Sequence, residues 1–184
     1  AVEEGEINIT DLIANEPAII TLSHRGYIKR TLTSEYRAQN RGGKGLKGMA
    51  IRESDNEDDP GDFVERLITA NAHDVLMFFT NAGRVYVERV YQIPEMPRVA
   101  RGRSIKNMLN LQADEKIAAV LRLEAQSEED SSIWREDRFV VFATKVGVVK
   151  KTALWDFRNV RKAGINAINI EEGDTLIGVE LTNG

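Results

Sequence analysis

Three pairs of short apolar runs recur along the chain, and a Ser/Thr-x-x-Gly turn joins the two runs of each pair. Apolar and polar residues largely alternate within the runs, which is the period of a half-buried β-strand. The pairs are 19–22 with 27–32, 75–79 with 85–90, and 139–142 with 148–154, and their turns end at Gly26, Gly83 and Gly147. We therefore predict three β-hairpins whose turn glycines adopt positive φ.

A further apolar run precedes each hairpin, so that the chain divides into repeated units. These runs are 7–13, 63–68 and 116–123, and a fourth begins at 175–181. The resulting units are 7–62, 63–115 and 116–174, followed by a partial unit at 175–184. A single unit of about four strands cannot bury both faces of its sheet and must stack on its neighbours. The expected fold is all-β, with about three propeller-like, four-stranded blades and the start of a fourth.

Two acidic, turn-rich segments, 52–62 and 124–138, separate predicted strands, and we expect both to be exposed loops. One position, ten residues after each turn glycine, carries Tyr36, Ile93 and Phe157 in the three units. Because this position accepts both aliphatic and aromatic side chains, we interpret it as core and not as a platform for stacking bases.

The overall composition bounds the class of protein. The chain of 184 residues is 42% hydrophobic and 29% charged, which is ordinary for a soluble globular protein. No run approaches the ~18 apolar residues of a membrane span, so no membrane partner is expected. Cysteine is absent, which excludes disulfides and thiolate chemistry and suits a cytoplasmic protein. The N-terminus has neither an initiator Met nor a signal-peptide profile, and we interpret it as an internal cut.

The net charge of −4 conceals a strong segregation of charge along the chain. Three windows, 24–47, 84–106 and 145–162, contain 19 of the 25 Lys and Arg residues but only four of the 29 Asp and Glu residues. A generic solvated surface usually intersperses both signs. Each window begins at a hairpin turn, so the repeat is expected to place the three windows along one rim.

Catalytic and metal sites have little support in the sequence, and none is predicted. His24 and His73 lie in or beside turns, without a second ligand at metal spacing or an adjacent nucleophile pattern. A calcium loop starting at Asp55 fails, because Pro60 stands where Gly is required and Arg66 where a bidentate Glu is required.

The segment 43–48 fits G-x-G-x-x-G, but a dinucleotide site needs this motif between a strand and a helix. Here a polar stretch precedes it and an acidic segment follows it. A phosphate loop fails as well, because Ala38 stands at the first required glycine and Gly45 at the required Ser or Thr. No nucleotide cofactor is therefore expected in this chain.

Glycines interleaved with cations remain as the strongest chemical signal. A glycine backbone can approach a phosphate closely and offer its N–H groups, while flanking cations supply charge. Such contacts are blind to base sequence, and a curved basic rim suits duplex DNA, whose bending costs a few kcal/mol per short site. A flexible basic loop without a partner is the alternative interpretation of the glycine-rich segment alone.

The candidate DNA-binding residues are this segment and the cations of the three windows. In the first unit they are Arg25, Lys29, Arg30, Arg37, Gln39, Arg41, Gly42, Gly43, Lys44, Gly45 and Lys47. In the second unit they are Arg84, Arg89, Arg98, Arg101, Arg103 and Lys106. In the third unit they are Lys145, Lys150, Lys151, Arg158, Arg161 and Lys162. About 16 to 19 residues after each turn glycine, another glycine follows a basic residue, directly at Gly45 and Gly102 and after one intervening residue at Gly164.

The segments 21–30 and 35–45 closely resemble the first blade of the gyrase A C-terminal domain family. The second segment includes Gln39-Asn40-Arg41-Gly42-Gly43-Lys44-Gly45. It is similar to the gyrase A box, which is usually Gln, a basic residue, Arg-Gly-Gly, a basic residue and Gly. Asn40 departs from this pattern, which removes one charge but keeps the glycines. The resemblance extends to 174–179 and so covers nearly the whole chain.

This resemblance implies a β-pinwheel, a disc of six blades around whose basic rim duplex DNA wraps with positive handedness. The wrapped DNA would support ATP-driven negative supercoiling by a type IIA topoisomerase, together with the rest of gyrase A and with gyrase B. ATP and Mg²⁺ would bind elsewhere in that assembly, and the catalytic tyrosine domain is absent from this chain. Three units in place of six lead us to expect a partly open disc or self-association through blade edges.

Two alternatives stay open at this point. One is the C-terminal domain of the A-type chain of topoisomerase IV, which resembles the same fold but usually has a degraded or missing box. The other is a propeller-type scaffold for protein interactions, on which the basic windows would be incidental. The expected location is the cytoplasm, in association with the nucleoid.

Overall fold

The computed structural model describes residues 12–39, 61–125 and 133–184. Within these residues the strands are β1 (Pro17–Ser23), β2 (Tyr27–Leu32), β3 (Val64–Asn71), β4 (Val75–Thr80), β5 (Arg84–Arg89), β6 (Arg103–Ser104), β7 (Ile117–Leu123), β8 (Phe139–Thr144), β9 (Val149–Ala153), β10 (Ile165–Asn166) and β11 (Leu176–Thr182). Helix α1 (Thr33–Gln39) follows β2, and 3-10 helices span Val90–Gln92, Ile105–Asn107 and Leu154–Phe157. The prediction of an all-β fold is confirmed, whereas the predicted strand at 7–13 lies largely outside the described residues.

The three predicted hairpins form as β1–β2, β4–β5 and β8–β9, all antiparallel. Their turn glycines have φ of +86°, +82° and +95°, so the prediction of positive φ is confirmed. In each turn the glycine amide donates to the carbonyl of the residue that opens the turn, at 2.9–3.0 Å. The next amide donates to that residue's hydroxyl at 3.0–3.3 Å. The openers are therefore hydroxyl-bearing: Ser23, Thr80 and Thr144.

Each sheet takes its strands from more than one of the sequence units. The orders are β3-β1-β2-β6, β10-β5-β4-β7 and β11-β8-β9. The run that precedes a hairpin in sequence pairs with the first strand of the preceding hairpin, as β3 does with β1 and β7 with β4. The two-residue strands β6 and β10 come from still later connections and pair with β2 and β5. The sheets are thus interlocked along the chain.

The core lies between the sheets, and β4 shows why one sheet cannot stand alone. All six residues of β4 are buried. Phe79 faces the third sheet, where its ring packs edge-on against Phe142 with centroids 5.5 Å apart. Phe78 faces the first sheet and packs with Ile28 and Leu22. Because adjacent side chains of a strand point to opposite faces, β4 must be covered by a neighbour on each side.

Two acidic side chains fix hairpin turns by accepting backbone N–H bonds. Asp62 accepts from the amides of Arg25 at 2.9 Å and Phe63 at 3.0 Å. Asp174 accepts from the amides of Val146 at 3.1 Å and Thr175 at 2.8 Å. Burial opposes the charged form, but these bonds, with those from the turn hydroxyls, outweigh it and lower the pKa of both carboxyls. Both groups therefore stay ionised and keep the turns in place.

The expectation that 52–62 and 124–138 are wholly exposed is wrong at three residues. Asp62 is buried against the first turn, as its amide contacts require. Ile133 and Trp134 are buried in the core between the second and third sheets. This apolar pair packs inward because burying its large apolar area outweighs the polarity of the surrounding segment. Residues 52–60 and 126–132 lie outside the described residues.

Two glycines allow the short strands β6 and β10 to approach the hairpins. Gly102 precedes β6 with φ of +100°, and Gly164 precedes β10 with φ of +72°. A Cβ on Gly102 would lie 2.8 Å from the carbonyl oxygen of Ile28, and one on Gly164 would lie 2.7 Å from the ring of Tyr86. Both contacts are too short for any other residue. The backbone of each short strand can therefore reach its partner only through glycine.

Replacing Gly102 by Ala should destabilise the fold more than the same change at Gly173. Gly173 also has positive φ, at +84°, but a Cβ there meets nothing within 4 Å. Left-handed strain of about 1–2 kcal/mol applies to both variants. Only Gly102→Ala adds a clash with Ile28, for which we expect about a further 1–3 kcal/mol. Equilibrium urea unfolding measures the difference, and equal losses in the two variants would contradict the docking role of Gly102.

Candidate nucleic-acid interface

The predicted cations that the structure describes divide into an exposed set and a set that holds the fold. The exposed set is Arg25, Arg101, Arg103, Lys106, Lys145, Lys150, Lys151, Arg158, Arg161 and Lys162. Partly exposed are Arg84, Arg89 and Arg98. The two remaining cations, Lys29 and Arg30, are largely withdrawn from solvent and require a correction.

Lys29 and Arg30 on β2 do not belong to the exposed surface. Lys29 is 5% exposed, and its Nζ donates to the carbonyl oxygens of Arg98 and, at 2.9 Å, of Ala100. Arg30 donates from Nε to the carbonyl of Ile93 at 3.0 Å, and its side chain is 13% exposed. Both side chains satisfy carbonyls of the connection that leads to β6. Their positive charge therefore stabilises the fold and is not presented at the surface.

The short strands carry cations to the outer edges of the first two sheets. Arg103 lies in β6 and is exposed, and Lys162 is exposed just before β10. The guanidinium of Arg101 stacks over the ring of Tyr27 at 3.7 Å. Arg84 donates from Nη2 to the carbonyl of Ala163 at 2.6 Å. The same junction thus joins neighbouring repeats and places positive charge at the edge.

The third hairpin presents its cations on the strand itself. The first three residues of β9, including Lys150 and Lys151, are exposed, and β9 forms one edge of its sheet in the described residues. Lys150 Nζ donates to the carbonyl of Ala167 at 3.1 Å. Lys151 lies over the ring of Phe139 at 4.3 Å. These contacts orient the two side chains while leaving their charge in contact with solvent.

Three further cations stack on aromatic rings or bind backbone beside the sheet edges. Arg158 lies 4.3 Å over the ring of Trp155. Arg98 lies 5.2 Å over the ring of Tyr36, and Arg89 donates from Nη1 to the carbonyl of His73 at 2.8 Å. Such contacts restrain long side chains, so that less side-chain entropy remains to be lost in any further contact.

The glycine-rich box is the part of the predicted interface on which the structure is silent. Residues 40–47 lie outside the described residues, and Gln39 is the last residue of α1. The side chain of Arg37 also lies outside the description. The contribution of the box therefore stays a prediction from sequence. Helix α1 itself was not predicted, because 33–39 is polar and carries no apolar period.

The histidines and the repeated apolar position make structural contacts. His24 Nδ1 lies 3.3 Å from Glu65 Oε1, and its ring stacks on Phe63 at 4.8 Å. His73 Nε2 lies 2.6 Å from the carbonyl oxygen of Ile13. Across the described segments, no cluster of three or more His, Cys, Asp or Glu side chains is suited to a metal ion. Tyr36, Ile93 and Phe157 are buried, so their interpretation as core is confirmed.

A cleft between the first and second sheets contains polar residues that the sequence did not single out. It has a volume of about 400 Å³. Its lining comprises Ile28, Glu88, Gln92, Pro94, Arg103, Ser104, Asn107, Met108 and Lys162, and we call it the seam cleft. Burial raises the pKa of Glu88, and the nearby positive charge of Lys162 partly opposes this shift. The signal in the sequence was that Glu88 stands where the other hairpins have Thr31 and Thr152.

Comparison with known proteins assigns the chain to a family. The sequence model described as "DNA gyrase C-terminal domain, beta-propeller" matches residues 18–59, 74–124 and 138–183. The chain belongs to the DNA gyrase C-terminal domain family. It is similar to the DNA gyrase A protein of Haemophilus influenzae, with 44% identity over 98% of the chain, and to that of Escherichia coli K12, with 46% over 98%. The chain spans about 19% of the length of each of these relatives.

Solved structures place the fold in the same group. A structure of the DNA gyrase A C-terminal domain matches with a TM-score of 0.62 and 26% identity, covering 91% of this chain and 48% of that one. The C-terminal domain of DNA topoisomerase IV matches with a TM-score of 0.69 and 26% identity, covering 94% and 47%. Both domains have the same fold as this chain, so the fold does not distinguish gyrase from topoisomerase IV. The family match and the curated relatives favour gyrase.

The helices that the structure describes in this member of the gyrase C-terminal family are short. Helix α1 has seven residues, and the 3-10 helices are shorter. In the three described stretches of chain, none combines the length and apolarity that crossing a membrane requires.

Replacing Lys29 by Met should destabilise the fold, whereas Lys145→Met should not. Lys29→Met leaves the carbonyls of Arg98 and Ala100 without their buried donor. The loss of such bonds costs about 1–3 kcal/mol. Lys145 is exposed, and its loss should change the free energy of unfolding by less than about 0.5 kcal/mol. Urea unfolding of both variants measures this contrast, and an unchanged midpoint for Lys29→Met would restore Lys29 to the surface set.

Proposed function

We propose that this chain binds duplex DNA without regard to base sequence, and bends and wraps it along the outer edges of its sheets. The observation that carries the proposal is the placement of exposed cations on or beside the strands that form those edges. Arg103 and Lys162 flank the junctions of the first two sheets, and Lys150 and Lys151 lie on β9. Family membership and the similarity to DNA gyrase A proteins support the same proposal.

Electrostatics explains how a chain of net charge −4 would hold a polyanion. Duplex DNA carries about one negative charge per 1.7 Å of axis, and binding releases the counterions condensed on it. What matters is the charge that a phosphate meets within a Debye length of about 8–10 Å, not the total over the molecule. Exposed cations repeated at successive sheet edges would offer phosphates several such contacts along one path. The contacts would offset the energy of bending the duplex.

In this proposal the chain is not an enzyme by itself. It presents wrapped DNA to the rest of gyrase A and to gyrase B, which together form an ATP-hydrolysing type IIA topoisomerase that introduces negative supercoils. The chemistry of DNA cleavage and the binding of ATP and Mg²⁺ would belong to those other parts. A cytoplasmic location beside the nucleoid follows from the same proposal, as do duplex DNA, gyrase A and gyrase B as partners.

Duplex binding should weaken steeply with salt, and loss of one rim cation should lower the slope by a fixed amount. Each neutralised phosphate contributes about 0.9 to the slope of log K against log salt. We expect Arg103→Ala to lower that slope by about this amount on any duplex sequence. Arg135→Ala is the matched control, because Arg135 lies outside the windows and is paired with Asp137 at 2.6 Å. Fluorescence anisotropy between about 50 and 300 mM salt measures the slope.

The salt series also decides between DNA binding and the scaffold alternative. A protein-interaction scaffold with incidental cations would show no steep dependence on salt. Equal slopes for Arg103→Ala, Arg135→Ala and the unmodified chain would count against the proposed rim. The topoisomerase IV alternative differs in another way, since its DNA path would not depend on an intact box.

The box should affect the path of wrapped DNA more than the affinity of the chain for DNA. We expect Arg41→Ala with Lys44→Ala to abolish most of the change in linking number when nicked plasmid is ligated in the presence of the chain. Affinity for a short duplex should fall less, because the other exposed cations remain. The matched control is Lys116→Ala with Arg135→Ala, which also removes two positive charges, but from residues outside the three windows. Unaltered topoisomers with the box variant would refute the proposed role of the box.

A further inference from the structure

The seam cleft joins two repeats at their outer edges. One wall comes from the first sheet, where Arg103 pairs with Ile28 across β6 and β2. The other wall comes from the second sheet, where Glu88 on β5 and Lys162 before β10 line the space. Asn107, in the 3-10 helix after β6, forms part of the lining. The cleft is therefore built from the same junction that closes the sheets.

Glu88 is the unusual group in this cleft. The residue is 7% exposed, and burial raises the pKa of its carboxyl group. The equivalent Thr31 is also buried, but its hydroxyl donates to the carbonyl of Met96 at 3.1 Å. Thr31 thus finds a partner within the fold, whereas the longer acid lines the cleft. Burial of a carboxylate is unfavourable, and a change that neutralises it is favoured.

The charged groups that face Glu88 from the neighbouring elements are Arg103 on β6 and Lys162 before β10. The other residues lining the cleft are uncharged. On its own strand, Arg89 is directed to the carbonyl of His73 and so serves a different contact. Lys162 is the cation whose charge acts on the Glu88 carboxyl. Both Arg103 and Lys162 are exposed and so can also reach a ligand from solvent.

The donors of the cleft match a phosphate diester. A guanidinium presents paired N–H groups to two oxygens of one phosphate, and an ammonium adds a point charge. The hydroxyl of Ser104 and the amide of Asn107 line the same space and offer neutral donors. An acid in the midst of these donors would repel a phosphate while it is ionised. Once protonated, the same carboxyl becomes a hydrogen-bond donor.

We propose that the seam cleft seats one backbone phosphate of bound duplex DNA, and that Lys162 exchanges Glu88 for this phosphate as Glu88 takes up a proton. This inference rests on the proposed DNA-binding function and names one site within it. No covalent bond changes other than the protonation: solvent supplies one proton to Glu88, and the positive charge of Lys162, which acts on the ionised carboxyl in the free chain, acts on the phosphate in the complex. The net charge of the cleft residues rises by one on binding. DNA affinity is then linked to pH through Glu88.

The sign of this linkage follows from the charge states. Burial already holds the pKa of Glu88 above its ordinary value, and an arriving phosphate raises it further. At a pH below the pKa of Glu88 in both the free chain and the complex, Glu88 is neutral with or without DNA, and binding takes up no proton. As pH rises, Glu88 loses its proton in the free chain before it does so in the complex. Binding must then take up a proton from solvent, and the affinity for DNA falls. Glu88→Gln is permanently neutral and removes the dependence.

The test compares duplex affinity of the full 184-residue chain with that of Glu88→Gln between pH 5.5 and 8.5 at fixed salt. We expect Glu88→Gln to bind more tightly at pH 8.5, by up to about tenfold, the factor that corresponds to one pKa unit. The difference between the two chains should shrink as pH falls. All other ionisable groups are the same in both chains, so the difference between the chains isolates Glu88.

Two controls make the outcome specific to the cleft. Glu180→Gln removes the same charge from an exposed residue of β11, and should reproduce neither the gain nor its pH dependence. Lys162→Ala should reduce affinity more in the Glu88→Gln chain than in the unmodified chain at pH 8.5, because the charge of Lys162 is then no longer offset by an ionised Glu88. Thermal melting checks that each variant is folded, and Glu88→Gln should raise Tm by about 2–4 °C at pH 8.5 but not at acid pH.

The outcomes separate the inference from the function on which it rests. If the unmodified chain shows no salt-dependent duplex binding, the proposed function fails. If it binds but Glu88→Gln follows Glu180→Gln across the whole pH range, the exchange at Glu88 is refuted while the function stands. Equal effects of Lys162→Ala in the two backgrounds would also overturn the exchange.

Discussion

Closure of the first two hairpins by short strands from later parts of the chain is the constraint on which the rest of the structure depends. In the first two sheets the outer strand would otherwise expose a row of unpaired backbone groups. β6 and β10 satisfy part of that row, and the following amides continue the contact, as Ile105 does to the carbonyl of Gly26 at 2.8 Å. The approach is close enough to demand glycine. One repeat therefore cannot complete its sheet without the next.

This closure also explains how the cations reach the edges. A two-residue strand offers little apolar area, so the side chains on and beside it face solvent and can be charged at small cost. The connection that delivers the strand must be held in place, and buried Lys29 and Arg30 do this by donating to its carbonyls. Lys and Arg are suited to both roles, because a long apolar stem carries several donors. Structure and charge presentation thus share one junction.

The sequence predicts the hairpins, their glycine turns and the buried position ten residues after each turn glycine. Each has a local signature: alternation, a turn residue, or an apolar residue that recurs in every unit. It does not predict which strands pair. β3 joins β1 and not the hairpin that follows it, and this choice depends on contacts 40 or more residues apart in sequence, as between Ile20 and Ile68. Likewise, composition cannot distinguish Lys29 from Lys150, which occupy the same place after their turns but differ in burial.

The difference between those two lysines shows what decides whether a repeated cation is available. The strand that carries Lys29 is closed by β6, and the connection to β6 covers the side chain. In the described residues β9 has β8 as its one strand partner, and Lys150 stays exposed although it also binds a carbonyl. The same residue type at the same register is therefore buried or presented according to whether a later strand lies beside it. Pairing along the edge, more than the count of basic residues, sets the surface that a phosphate can reach.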